Sequence, residues 1–108
     1  MKEKIAILGG GNIGKAIANG LIASGQYAAS DIIVTRRNSR HLNDLQEKGI
    51  SITSDNVEAV KGSSIIILCV QPTQVKDLLA EIRDSLDPQK HVFSFVVAIK
   101  YPQMSFSI

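Results

Sequence analysis

The chain predicts a doubly wound α/β domain built on a mostly parallel sheet of about five strands. Three observations carry that expectation. Short apolar runs alternate along the chain with segments of helical period. One run, Ile65-Ile66-Ile67-Leu68, is apolar without alternation, as a strand covered on both faces requires. The order reads strand–helix throughout, and right-handed crossovers turn that order into a layered parallel sheet.

Each element has its own local reason. Lys4–Leu8 is a compact apolar strand that ends in glycine. Asn12–Ser24 follows as a helix, with Ile13, Ala16, Ile17, Gly20 and Leu21 at three- and four-residue steps and Gly25 as its stop. Ile32–Thr35 is the second strand. Ser39 is placed to cap a helix that carries Leu42 and Leu45 and stops before Gly49. Ile50 and Ile52 alternate as a short third strand. Asp55 and Glu58 have capping-box spacing and open a helix to about Lys61. Ser64–Val70 is the fourth strand. Pro72 and Thr73 open a helix with Val75, Leu78, Leu79, Ile82 and Leu86 on one face, ended by Asp87-Pro88. Val92–Ile99 reads as the fifth strand.

Composition narrows the function classes. The 108 residues are one domain's worth, and residues 1–99 account for it, leaving 100–108 as a divergent tail. With 12 Lys+Arg against 10 Asp+Glu, the net charge of +2 argues against a strongly basic nucleic-acid tail. The longest apolar run, Ile65 to Val70, falls far short of the ~20 residues that span a bilayer, so no membrane partner is expected. Cys69 is the one cysteine, which excludes an internal disulfide and a thiolate zinc site and fits a reducing, cytoplasmic setting.

The chemistry concentrates in a glycine-rich turn. Gly9, Gly11 and Gly14 have the dinucleotide-fingerprint spacing, directly after a predicted strand and at the opening of a predicted helix. Gly9 permits the tight turn, Gly11 lacks the Cβ that would block a pyrophosphate, and Gly14 lets helix and strand approach. Unpaired N–H groups at the helix start favour an anion, with Asn12 and Ile13 lining the turn. A Rossmann-type cofactor domain is the expectation; a strand-to-helix loop without ligand is the alternative.

The end of the second strand selects the cofactor. NAD sites place an acidic residue ~20 positions on to bond the ribose hydroxyls. Here the stretch is Thr35-Arg36-Arg37-Asn38, with Arg40 and His41 behind, and it has no carboxylate. Guanidinium and hydroxyl groups suit a 2′-phosphate, so NADP(H) is expected ahead of NAD(H). The alternatives are a solvated basic loop or a weak nucleic-acid patch, and the lack of interleaved aromatics argues against base stacking. No nucleic-acid partner is therefore expected.

These residues together resemble the N-terminal domain of the pyrroline-5-carboxylate reductase family. The resemblance rests on Ile7-Leu8-Gly9-Gly10-Gly11-Asn12-Ile13-Gly14-Lys15-Ala16-Ile17, on Asp31-Ile32-Ile33-Val34 with Arg36 and Arg37, on Thr53-Ser54-Asp55-Asn56 with Ala59, and on Ile67-Leu68-Cys69-Val70-Gln71-Pro72. It covers about residues 4–95. It implies an oxidoreductase that reduces 1-pyrroline-5-carboxylate to L-proline with NAD(P)H. It also implies Asn56 as a contact to the adenosine part, with Val70, Gln71 and Pro72 lining the dinucleotide. Asp55 as a plain helix cap and Asn56 as an exposed first-turn residue are the alternatives. Two departures stand out. Val96, Val97 and Ala98 occupy positions where the family has alanines and a glycine, which crowds the nicotinamide pocket. The family's helical dimerisation and substrate domain is expected to be missing after Ile108, so a truncated chain without turnover of its own is the expectation, with a partner chain supplying that domain. No catalytic acid, base, nucleophile or metal ligand is nominated. A non-catalytic nucleotide-binding or interaction module, and the cofactor domain of another NADP-dependent reductase such as a deazaflavin-linked one, remain open.

Overall fold

The computed structural model describes residues 4–9, 11–36, 43–70 and 72–94, with the backbone alone for Asn12, Pro72 and Ser94. Its strands are β1 (Ile5–Leu8), β2 (Ile32–Thr35), β3 (Ser51–Thr53), β4 (Ile65–Leu68) and β5 (His91–Ser94). Its helices are α1 (Asn12–Ala23), α2 (Asn43–Glu47), α3 (Asn56–Lys61) and α4 (Pro72–Ile82). The sheet they form has the order β3-β2-β1-β4-β5, and every described pairing is parallel. Ile5 sits opposite Ile32 on one side and Ile65 on the other, so β1 is the central strand.

The strand pleat divides the core into two layers. Ile5, Ile7, Ile32, Val34 and Ile67 pack with Ala18 of α1 and Leu45 of α2. Ala6, Leu8, Ile66 and Leu68 face the other way, against Ala59 and Val60 of α3 and Val75, Leu78 and Ile82 of α4. Adjacent residues of β4 thus feed both layers, which is why that strand carries no polar alternation. The expected α4 face is the buried one, and Leu79 and Leu86 pack partly against it. The helix proper ends at Ile82 and tightens into a 3₁₀ turn, Arg83–Ser85, ahead of Asp87-Pro88.

The local signals read from the sequence recur in the hydrogen bonds. Asp55 Oδ1 accepts from the Glu58 N–H at 3.1 Å and so caps α3. Gly25, at φ +79°, ends α1 in the left-handed region that glycine adopts without strain. The α1 face, however, differs from expectation. Ile13, Ala16 and Gly20 are exposed, whereas Gly14 and Ala18 are buried and Ile17, Leu21 and Ile22 half-buried. The helix is rotated by one residue, about 100°. The reason lies at its first turn, where Gly14 must face β1. The edge strand β5 leaves Phe93 44% exposed. Residues 95–99 of the expected fifth strand, the tail 100–108, Ser39 and Leu42 lie outside the described residues. So does the Val96-Val97-Ala98 departure.

Candidate dinucleotide-binding site

The glycine turn leaves the C-terminal end of the central strand. There α1 departs over one face of the sheet towards β2, while α4 departs from β4 over the other face. In open α/β sheets the crevice at such a divergence, here the ends of β1 and β4, is where ligands are held.

The described glycines of the turn differ in their surroundings. Gly9 adopts φ +100°, and a Cβ there would lie 2.6 Å from the Cys69 carbonyl oxygen and 2.9 Å from Val70 Cγ1. It is wedged against the end of β4, where the Cys69 N–H donates to the Leu8 oxygen at 2.8 Å. A Cβ on Gly14 would meet the Gly9 carbonyl oxygen at 2.4 Å and Ile7 Cγ2 at 3.4 Å. That contact sets the rotation of α1: the side without a Cβ is turned to the strand, and Ile13 is carried out to 42% exposure. Gly11 is the opposite case. It is extended at φ −76° and ψ −162°, and a Cβ there would meet nothing within 4 Å.

The open space over Gly11 adjoins the start of α1. Among the described residues no side chain caps that helix by a hydrogen bond, and no acidic residue lies in its first turn. The first-turn N–H groups carry the positive end of the helix dipole, which favours an anion. The Gly9 N–H is engaged inside the protein, donating to the Thr35 carbonyl oxygen at 3.0 Å and to Thr35 Oγ1 at 3.3 Å. It holds the turn to the end of β2. The Gly9 N–H is therefore not among the donors offered to that space.

The far side of the crevice is built from β2 and α3. Thr35 is 2% exposed, and its Oγ1 donates to Asn56 Oδ1 at 2.5 Å. Asn56 Nδ2 donates in turn to Glu81 Oε1 of α4 at 3.4 Å. Arg36 is half-buried, and its N–H donates to the Thr53 oxygen at 3.2 Å, tying the end of β2 to β3. Gly9, Gly11, Ile13, Gly14, Thr35, Arg36, Asn56 and Val70 are thus gathered along one edge of the sheet, with the backbone of Asn12 and Pro72 at the starts of α1 and α4. Arg37 and Gln71 lie outside the described residues, as do Asn38, Arg40 and His41. Glu81, the partner of Asn56 here, carries no sequence signal: it is an exposed acidic position in a helix whose visible pattern is its apolar face.

Two titratable groups near this edge are perturbed. Cys69 is half-buried against the core, and burial pushes its thiol up to about 11, which makes it a poor nucleophile. Asp44 of α2 is held below the usual carboxylate range, chiefly by its hydrogen bond to Lys15 of α1 at 3.1 Å. Among the described residues no group of His, Cys, Asp and Glu is placed to hold a metal ion. No helix among them is long and apolar enough to cross a membrane.

Residues 4–98 match the family described as NADP oxidoreductase coenzyme F420-dependent. Pyrroline-5-carboxylate reductase 2 of Dictyostelium discoideum is 42% identical over 98 residues, which are 90% of this chain and 33% of that protein. Pyrroline-5-carboxylate reductase 1 of the same organism is 40% identical over 94 residues, 87% of this chain and 17% of its own length. A pyrroline-5-carboxylate reductase structure from Coxiella burnetii superposes with a TM-score of 0.81 at 33% identity, over 89% of this chain and 36% of that one. The chain spans about a third or less of the length of these relatives. It belongs to the NADP oxidoreductase coenzyme F420-dependent family, and its counterpart there is the N-terminal nucleotide-binding domain of the pyrroline-5-carboxylate reductases.

Proposed function

We propose that this chain binds NADP(H) in the crevice over Gly11, as the cofactor-binding part of a pyrroline-5-carboxylate reductase-type enzyme. The observation that carries the reading is the pairing of open space at Gly11 with an uncapped, acid-free helix start beside it. A pyrophosphate suits that space, held by the N–H groups of the first turn of α1, with Asn12 and Ile13 along it. Thr35, Arg36, Arg37 and Asn56 suit the adenosine end, where guanidinium groups and the lack of a carboxylate at the end of β2 favour a 2′-phosphate over a bare ribose. Val70, Gln71 and Pro72 line the other end. The bound cofactor supplies a hydride; the residues of this chain hold and orient it. Under this reading the chain serves proline formation in the cytoplasm, and a partner chain or further domain completes the substrate pocket.

Calorimetric titration of the purified chain with NADPH and NADH tests this directly. Gly11→Ala should leave thermal stability within about 0.5 kcal/mol, since the space is empty and the backbone angles suit alanine. It should weaken NADPH at least tenfold. Arg36→Ala combined with Arg37→Ala should weaken NADPH far more than NADH. No binding by the unaltered chain refutes the reading, and equal losses for the two cofactors refute the 2′-phosphate role. A second reading, another NADP-dependent reductase, is favoured by the family description itself, which names coenzyme F420. Saturable binding of a deazaflavin beside NADPH selects it.

A further inference from the structure

We propose that Glu81 is a positioning residue for the cofactor site, acting through Asn56. The proposal rests on the NADP(H) reading above and adds a role for a residue outside the glycine turn. Its basis is a chain of hydrogen bonds that crosses three elements. The Gly9 N–H donates to Thr35 Oγ1 at 3.3 Å, Thr35 Oγ1 donates to Asn56 Oδ1 at 2.5 Å, and Asn56 Nδ2 donates to Glu81 Oε1 at 3.4 Å.

The two middle members have no polarity of their own. A threonine hydroxyl donates or accepts, and an asparagine amide turned over exchanges its donor and acceptor ends. The terminal members do have polarity. A backbone N–H can only donate, and a carboxylate can only accept. Glu81 therefore sets the direction at Asn56, and the Thr35 hydroxyl, which accepts from Gly9, completes it by donating to Oδ1. Turned over, Asn56 would set its carbonyl oxygen against the Glu81 carboxylate, acceptor to acceptor.

That direction determines what the corner offers to a ligand. Asn56 is half-buried and keeps one N–H and one lone pair of Oδ1 beyond the bonds named, a donor and an acceptor side by side. In NADP(H) the ribose 3′-hydroxyl complements that lone pair and a 2′-phosphate oxygen complements that N–H. Thr35, at 2% exposure, is spent on Gly9 and Asn56 and acts as the link between the glycine turn and the amide. Glu81 is exposed and bonds Asn56 Nδ2, so its effect reaches a ligand through the amide it orients.

Charge and orientation predict opposite signs, which makes the proposal testable. Removing a negative charge near an anionic cofactor would by itself tighten binding. Removing the acceptor that orients Asn56 would loosen it. Glu81→Gln loses the charge but retains an acceptor of the same reach; Glu81→Met loses both. NADPH affinity measured by calorimetry should stay within about twofold for Glu81→Gln and fall about fivefold for Glu81→Met, the size of one such hydrogen bond. In an Asn56→Ala background the Glu81→Met change should have no further effect, a coupling that a general loss of structure would not produce. Unchanged or tighter binding by Glu81→Met overturns the proposal, as does full additivity with Asn56→Ala. The side-chain amide resonances of Asn56, recorded by NMR without cofactor, separate this result from the fate of the cofactor reading. Glu81→Met should shift them and Glu81→Gln should largely preserve them, whether or not NADPH binds. Resonances indifferent to Glu81→Met overturn the proposal, whereas absent NADPH binding with the shift intact overturns the cofactor reading alone.

Discussion

Alanine at Gly14 and alanine at Gly20 are the same chemical change in the same helix, and the structure gives them opposite signs. A Cβ at Gly14 would sit 2.4 Å from the Gly9 carbonyl oxygen, about 1 Å inside van der Waals contact. The clashing atom is backbone, in a turn already wedged between Thr35 and Cys69, so α1 must move off β1. Overpacking of that kind costs about 3 kcal/mol at its upper end, offset by the ~1 kcal/mol that alanine gains over glycine in a helix. The net is a destabilisation of about 2 kcal/mol. At Gly20 a Cβ meets nothing within 4 Å and the residue is exposed, so only the helix term remains, a stabilisation of about 0.5–1 kcal/mol. The two variants should therefore differ by about 3 kcal/mol, or upwards of about 10 °C in Tm for a domain of this size. Thermal or urea unfolding followed by circular dichroism measures this, and NADPH titration should show binding lost at Gly14→Ala and kept at Gly20→Ala. Equal stability shifts for the two variants would refute the close packing of α1 on the turn.

Two further outcomes follow from groups away from the crevice. Lys90 Nζ donates to the Val60 carbonyl at 2.9 Å and the Ser63 carbonyl at 2.5 Å, closing the C-terminal end of α3 with a cation. Lys90→Met should lower unfolding stability by about 1–2 kcal/mol, read from the urea midpoint, and an unchanged midpoint would remove that role. The Cys69 thiol is raised from 9.0 to about 11 by burial, so the folded state favours the neutral form. Its contribution to stability is fully present below pH 9 and is lost as pH rises through about 11. Alkylation should accordingly be slow at pH 8 compared with the unfolded chain, and equal rates would contradict the burial.

Much of the fold was legible because its causes are local. The glycine spacing, the Asp55 cap, the Gly25 stop and the apolar run of β4 each act within a few residues, and each recurs in the structure. The face of α1 was misread by one position. Helical periodicity ranks Ile13, Ala16 and Ile17 as the buried stripe, because it weighs side chains and gives glycine none. The contact that turns the helix is made by the absence of a side chain at Gly14, and Ile13 is left 42% exposed as a consequence. The Thr35–Asn56–Glu81 chain was not legible either. Its members lie 21 and 25 residues apart along the chain, and nothing in the period of α4 marks Glu81.

The sequence by itself determined which segments become strands and helices and that a glycine turn follows the first strand, since those choices rest on propensity, caps and turn geometry between near neighbours. It also determined that the end of β2 carries arginine where a carboxylate would hold a bare ribose. The tertiary structure alone decided the direction each surface faces: that the Gly9 N–H turns inward to Thr35, that the space over Gly11 stays open, and that Asn56 is held between a hydroxyl and a carboxylate. Those outcomes depend on backbone and side-chain atoms brought together by parallel pairing of β1 with β2 and β4, and no local pattern encodes an approach between strands that far apart in the chain.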